Sequence, residues 1–414
     1  MNNNTTIGKA VQHQIEKFSL RISKSFSKPK KKFVSQILFG MQASRDIKLS
    51  NVARSLNEEI NLIQTEKRLS MHFAAKDLTN DIHDSLIKDA SCKVTQETVL
   101  ALDLSDVNKP FAKKMEYLSS VWDGSEGKVV SGYWICEVIA AAVKGDEITP
   151  LYSELYSHEA TGFESENDQI LKAVKAVNTY VKDRGIWTMD RGADRKILVG
   201  ELGKMNLRFV IRAKGKRNLK DKDGNIKSTA DLLRAMRYKE HYSVTIDKEG
   251  FTETIPLELA VRHKLFIEGV EISLVAIRGF GKEPMLLITN VDKKPHEILE
   301  IYLTRWKCEE SFRFLKHEYH LEDVRVRRYT ALRNTIALMH AVFYFVSVYL
   351  GRRMRLRILL DRIIERAKRF FQVPAFKHYA VADGIYRLLF NKKWSEEESE
   401  EEPPDKRQLR FSFV

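Results

Sequence analysis

Three carboxylates and one short helix carry the chemistry that this sequence can be read for. Asp103 lies in the C-terminal part of an apolar stretch, VLALDLS, that reads as a β-strand. Asp190 ends a second such stretch, IWTMD, just before Arg191 and Gly192. A carboxylate at a strand end is held rigidly by the sheet while its head faces solvent or metal. Two on neighbouring strands can share hard divalent cations, which prefer oxygen ligands. Taken singly, an aspartate in such a place is more often a turn or helix-cap residue. Asp106 and Asp194 are close competitors, one turn or loop further on.

The third carboxylate, Glu309, sits in IYLTRWKCEESFRFLKH, residues 301–317. Tyr302, Arg305, Glu309 and Lys316 follow one another at steps of three, four and seven, which return to one face of a 3.6-residue helix. That face would line up a hydroxyl, two cations and a carboxylate over about 20 Å, enough to track several phosphates. An ordinary amphipathic helix with a solvated charged face explains the same spacing, with Leu303, Phe312 and Leu315 as its apolar side. Spacing alone leaves both readings open.

The elements that must hold these residues alternate in a recognisable order. Residues 97–105, 128–143 and 148–157 read as strands separated by turn signals. A helix over 164–184 follows, with Ile170, Val174, Val177 and Val181 at helical spacing. Then come a short strand at 186–189, a helix near 193–205 and a strand at 207–213. The order β-β-β-α-β-α-β is that of a ribonuclease-H-like domain with its first carboxylate on the first strand. The expected class is therefore α/β, a ribonuclease-H-like core (96–213) interrupted by a β-rich insertion (214–290) and resumed by a helical second part (291–367). In the insertion, residues 242–246, 251–257, 263–266, 270–278 and 285–289 read as strands.

Residues 1–95 read as a helical, basic region: over 1–76 there are 14 Lys and Arg against 5 Asp and Glu. Apolar spacing over 33–41 and the segment LSNVARSL (49–56) suggest two short helices around a polar break, compatible with a helix-turn-helix or with a plain bundle. Asn57 offers a capping start for a third helix over 60–73. The run Lys28-Pro29-Lys30-Lys31-Lys32 reads as a phosphate-contacting arm, a nuclear-import signal or a solvated linker. Residues 368–414 form a C-terminal region whose acidic run, 396–402, cannot bury enough apolar surface to fold alone.

The whole chain is basic: 70 Lys and Arg against 56 Asp and Glu give +14 over 414 residues, with a pI near 9.4. That balance predisposes it to polyanions. The three cysteines, Cys92, Cys136 and Cys308, form no CxxC pair, which argues against a zinc ribbon or disulfide framework and for a reducing, cytoplasmic setting. The apolar stretch 336–350 falls short of the roughly 20 residues needed to cross a bilayer and reads as a buried core helix. No phosphate-binding loop or dinucleotide fingerprint is present; Gly279-Phe280-Gly281 is too short to count.

The pattern Y-x2-R-x3-E-x6-K resembles, position for position, the YREK signature of DDE transposases from bacterial insertion sequences, the cut-and-paste group that makes hairpin-ended intermediates. The words LALDLSD, TMDRGAD and YLTRWKCEESFRFLK are similar to those around the three acidic residues of that family, and the likeness covers roughly residues 95–350. The resemblance implies that Asp103, Asp190 and Glu309 bind two Mg²⁺ or Mn²⁺ ions, with Asp103 bridging both. It implies that Tyr302, Arg305 and Lys316 grip phosphates near the cleaved end, and that Trp306 either stacks on a displaced base or belongs to the core. Lys30, Lys31 and Lys32 would add DNA contacts. The partners implied are the element's terminal repeats, target DNA and a second protomer in a synaptic complex, with no membrane. A domesticated DNA-binding protein and a nuclease of the same fold are the alternatives. One departure stands out: hairpin-forming relatives stack a tryptophan of the insertion on the flipped base, and residues 214–290 contain none. Tyr238, Tyr242, Phe251, Phe266 and Phe280 are the aromatics there.

Overall fold

The computed structural model describes residues 3–124, 127–248, 251–352, 354–367, 377–390 and 410–413. The acidic run 396–402 lies outside them. Five helices lead the chain: α1 (Asn3–Ile22), α2 (Lys28–Ser44), α3 (Leu49–Leu56), α4 (Leu62–Ala75) and α5 (Thr79–Ala90). The lysine run is neither arm nor linker but the first turn of α2, because Pro29, with φ already set for a helix, suits its opening positions. Asn57 does not cap a helix start. It closes α3 in the left-handed conformation (φ 46°), and Asn61 caps α4 by accepting from the Ile63 N–H at 3.0 Å.

The core follows as β1 (Val99–Asn108), β2 (Ser119–Asp123), β3 (Lys128–Ala141), β4 (Ile148–Tyr156), α6 (Glu166–Val181), β5 (Ile186–Met189), α7 (Lys196–Lys204) and β6 (Phe209–Arg212). In space the strands run β4-β3-β1-β5-β6, with β1 antiparallel to β3 and parallel to β5. This is a ribonuclease-H-like sheet, as the sequence order implied. The short strand β2, paired with the start of β3, carries no alternation long enough to be read from sequence.

The next segment contains β7 (Asn218–Asp221), β8 (Ile226–Ser228), α8 (Thr229–Ala235), β9 (Glu240–Lys248), β10 (Phe251–Ile267), β11 (Val270–Arg278) and β12 (Met285–Thr289). Strand β12 pairs antiparallel with β6, so these strands extend the core sheet. The stretches 251–257 and 263–266 belong to one strand, β10, whose register slips between Arg262 and Leu265, with Lys264 at φ 58°. Then come α9 (Pro295–Leu303), α10 (Trp306–Glu318), α11 (Tyr329–Tyr344), α12 (Met354–Ile364), α13 (His378–Leu389) and β13 (Arg410–Phe413), which pairs with β9.

Alternating side chains split the sheet into two apolar faces. Trp187, Met189, Phe209 and Ile211 join the main core. Ile186, Val210 and Leu287 face a second cluster built with Ile298, Leu299 and Tyr302 of α9. Val99 is on that second face, so Asp103, four residues on, is too. Helix α11 continues through a π-helical turn to Tyr349, and these 21 residues are long and apolar enough to cross a membrane, yet 89% of the apolar window is buried inside the fold.

One polar side chain ties the N-terminal helices to α11. Asn334, fully buried, accepts from the Leu78 N–H (2.6 Å) and donates to the carbonyls of Phe73 and Lys76, both at 2.7 Å. It satisfies the backbone groups orphaned where α4 ends and α5 begins. Asn334→Leu keeps the volume but leaves three buried groups unpaired, so unfolding free energy should drop by about 3 kcal/mol in a denaturant titration. A loss within experimental error would show that water replaces the amide.

Candidate active site

Strand β1 sets the first carboxylate. Its antiparallel register puts Asp103 opposite Glu137 of β3, and its parallel register with β5 pairs Ala101 with Thr188. Two residues beyond that pair come Asp103, still on β1, and Asp190, the first residue after β5. Asp190 begins a 3₁₀ turn (Arg191–Ala193) and accepts from the Gly192 N–H at 2.8 Å. A Cβ at Gly192 would lie 2.9 Å from the Asp190 carboxylate, so a larger residue there would push that side chain aside.

The helix expected over 301–317 is two helices. Thr304 and Arg305 stay in the right-handed region (φ −58° and −57°), but the bonds tighten: the Arg305 N–H donates to Tyr302 and the Cys308 N–H to Arg305. The four signature residues therefore do not form one exposed line. Tyr302 is buried in the α9 cluster, Trp306 is half-buried, and Glu309 projects from the first turn of α10 with a side chain 57% exposed. Lys316 lies further along α10, 3.4 Å from Asp106 and 3.1 Å from Glu322.

Arg305 joins these parts. Its guanidinium reaches Asp103 Oδ2 at 2.6 Å and Glu309 Oε1 at 2.5 Å, with its carbon 5.7 Å from the centre of the Tyr302 ring. Burial pushes the Asp103 carboxyl up to about 7; Arg305 opposes that rise, while the charges of Asp190 and Glu309 add to it. Burial works against the charge on Arg305 as well, but Asp103 and Glu309 more than compensate and hold it protonated. Asp103 thus feels the charges of Asp190 and Glu309, which come from two other chain segments. Among the described residues no three His, Cys, Asp or Glu side chains are gathered closely enough to hold a metal ion; the arginine stands between Asp103 and Glu309. The donor set itself suits hard divalent cations, being all carboxylate oxygen and mutually repelling.

Several neighbours were not singled out by sequence. Glu137 is fully buried on the face that α10 covers; burial pushes its carboxyl up to about 8, with Ser311 opposing and Asp103 adding to the rise. An alternating strand gives no sign that one polar position faces inward. Lys307 is buried, donating to the carbonyls of Ala142 (2.8 Å) and Gly145 (2.7 Å), which pins α10 to the end of β3. Asp194 is also buried, ion-paired with Arg217, which leaves it no part in the carboxylate group. Lys30 is half-buried, with burial and Lys76 lowering its pKa and Asp81 raising it; Lys31 is half-buried and Lys32 exposed. Helix α2 packs on α1, α3, α11 and α13, away from the three carboxylates.

Because an unfolded glutamate titrates near its ordinary 4.5 and Glu137 near 8, the folded chain holds a proton that the unfolded chain has lost. Stability should therefore fall as pH rises from about 5, with the cost complete above pH 8. In chelator, Glu137→Gln should flatten that decline by a few kcal/mol, at ~1.4 kcal/mol per unit. Parallel pH profiles for the two proteins would show that Glu137 titrates normally.

No curated protein matches the chain. Among solved structures, a piggyBac transposase synaptic complex with hairpin DNA is similar over 95% of this chain and 86% of its own, at 14% identity and a TM-score of 0.43. The family described as "Transposase DDE domain" matches residues 96–345, a span that contains Asp103, Asp190 and Glu309 and is more than half of the 414 residues. The chain belongs to the DDE transposase domain family.

Proposed function

We propose that the protein is a DNA transposase that cuts its element's ends and joins them to target DNA at Asp103, Asp190 and Glu309. The observation that carries this reading is that Asp103 and Asp190 come from adjacent parallel strands, with Arg305 shared between Asp103 and Glu309. Asp103, Asp190 and Glu309 would hold two divalent cations. Such a pair stabilises the attacking and leaving oxygens of an in-line displacement at phosphorus.

The chain's own residues have separate tasks. Asp103 and Asp190 are fixed by the sheet, so they supply a rigid pair of oxygen donors, while Glu309 on α10 closes the group from above. Arg305 neutralises Asp103 and Glu309 when no DNA is bound. A phosphate competing for its planar fork would draw it away, since guanidinium pairs as well with phosphate as with carboxylate. Lys316, at the far end of α10, adds a point charge for the same backbone, and the basic N-terminal helices supply further phosphate contacts. Nicking, hairpin formation and joining are all phosphoryl transfers, so one group of carboxylates serves each step. A homodimer that holds two ends follows from the same reading.

Purified protein incubated in Mg²⁺ with DNA flanking its own gene should give breaks at discrete ends, absent in Ca²⁺. Asp190→Asn should lower cleavage at least about 100-fold while binding the same DNA normally. Binding without cleavage by the unaltered protein, in Mg²⁺ and Mn²⁺ alike, would favour a domesticated DNA-binding protein, and cleavage without joining would favour a nuclease. Arg305→Gln should bind Mn²⁺ more tightly than the unaltered protein in DNA-free calorimetry, because the competing cation is gone, yet cleave DNA poorly. Weaker Mn²⁺ binding would mean that Arg305 orients the carboxylates rather than competing for them.

A further inference from the structure

Both tyrosines of the insertion have partners of their own. Tyr238 lies under the Arg278 guanidinium at 3.9 Å, and Tyr242 donates to Glu300 and stacks on His296. The aromatic that stands free is elsewhere. Phe111, in the loop between β1 and β2, is 94% exposed, the most exposed of the large apolar side chains among the described residues.

That loop has a firm base and a projecting tip. On one side Lys109 is buried, its ammonium donating to the carbonyls of Glu322 and of Val324 (2.8 Å). On the other, the Glu116 N–H donates to the Arg327 carbonyl (2.9 Å), the Glu116 carboxylate accepts from the Tyr329 N–H (2.8 Å), and the Tyr117 ring meets Tyr329 edge-on. Between these anchors the tip carries Phe111 with Lys113 and Lys114, both exposed. The segment to which the base is bonded adds Arg325, Arg327 and Arg328, also exposed. None of these five cations makes an ion pair among the described residues. An apolar ring fully in water costs hydration free energy, and clustered like charges repel, so neither feature serves the fold.

The place of this surface is set by the catalytic strand. The loop leaves the end of β1, about 17 Å along the strand from Asp103. Its base also meets the end of the DNA-gripping helix: Glu322, whose carbonyl takes Lys109, pairs with Lys316. A duplex laid along α10 would run onto it.

Resting on the transposase reading, we propose that the β1–β2 loop is a DNA wedge: Phe111 stacks on an unpaired base of a distorted duplex whose phosphates are held by Lys113, Lys114, Arg325, Arg327 and Arg328. Five cations with no protein partner match a polyanion, and an aromatic among them matches a base face, which any base presents. The exposed ring then acts where the duplex must open for cleavage.

The test measures binding of the full chain to a short duplex with a central mismatched bubble and to its fully paired counterpart. The unaltered protein should prefer the bubble. Phe111→Ala should cut that preference about tenfold, Phe111→Trp should keep it, and neither should move the melting temperature, because the ring packs on nothing. Lys113→Ala with Lys114→Ala should weaken both complexes alike and lower the salt slope by about two. An unchanged bubble preference in Phe111→Ala overturns the wedge. So does a changed oligomeric state with DNA binding intact, which would make the tip a protein contact. If the unaltered protein binds neither DNA, the transposase reading falls with it; if it binds and cleaves but Phe111→Ala is silent, only the wedge falls.

Discussion

The arrangement of the active region depends on how β1 is paired. It is bonded antiparallel to β3 through ten residue pairs and parallel to β5 through three. Side chains alternate along a strand, so a slip of one residue would turn Asp103 to the opposite face, toward the main core, and bring Leu102 or Leu104 to the position beside Asp190. The apolar neighbours resist that slip: Val99 belongs to one core and Leu100 and Leu102 to the other. The hydrophobic pattern that builds the sheet thereby also sets the position of the acidic group.

A second constraint is electrostatic. Asp103 and Glu137 lie across from each other in a region that α10 covers, and burial disfavours the charge on both. A protein that concentrates acids in this way must neutralise them by protons, by cations or by its own side chains. Arg305 does so for Asp103 and Glu309, while Glu137 is best accommodated as a neutral acid. Asp103 and Arg305 are thus coupled: burial disfavours the charge on each, and the charge of the other opposes that.

The sequence order of strands and helices was enough to read the ribonuclease-H-like class, because the apolar periods of β1, β3, β4 and α6 are long and regular. Short or irregular elements were less legible. Strand β2 is five residues, and β10 hides its continuity behind the charged residues Arg262, His263 and Lys264, where the register slips. The lysine run is open in sequence to an arm, an import signal or a linker, but Pro29 and the apolar residues from Phe33 onward make it a helix start. The single helix expected over 301–317 is split by a tightened turn at Thr304 and Arg305 that keeps right-handed dihedrals, so nothing local announces it. The pairing of Arg305 with Asp103 spans 202 residues, and no local pattern encodes a partner so far away.

That long separation bears on the protein's birth. The chain leaves the ribosome from its N-terminus at roughly 5–20 residues per second, so Asp103 emerges some 10–40 s before Arg305 and Glu309. During that interval the basic N-terminal helices and the first two aspartates exist without α10, and β6 waits for β12 to complete the sheet beside it. Asp103, Arg305 and Glu309 can therefore come together only after three-quarters of the polypeptide has been made.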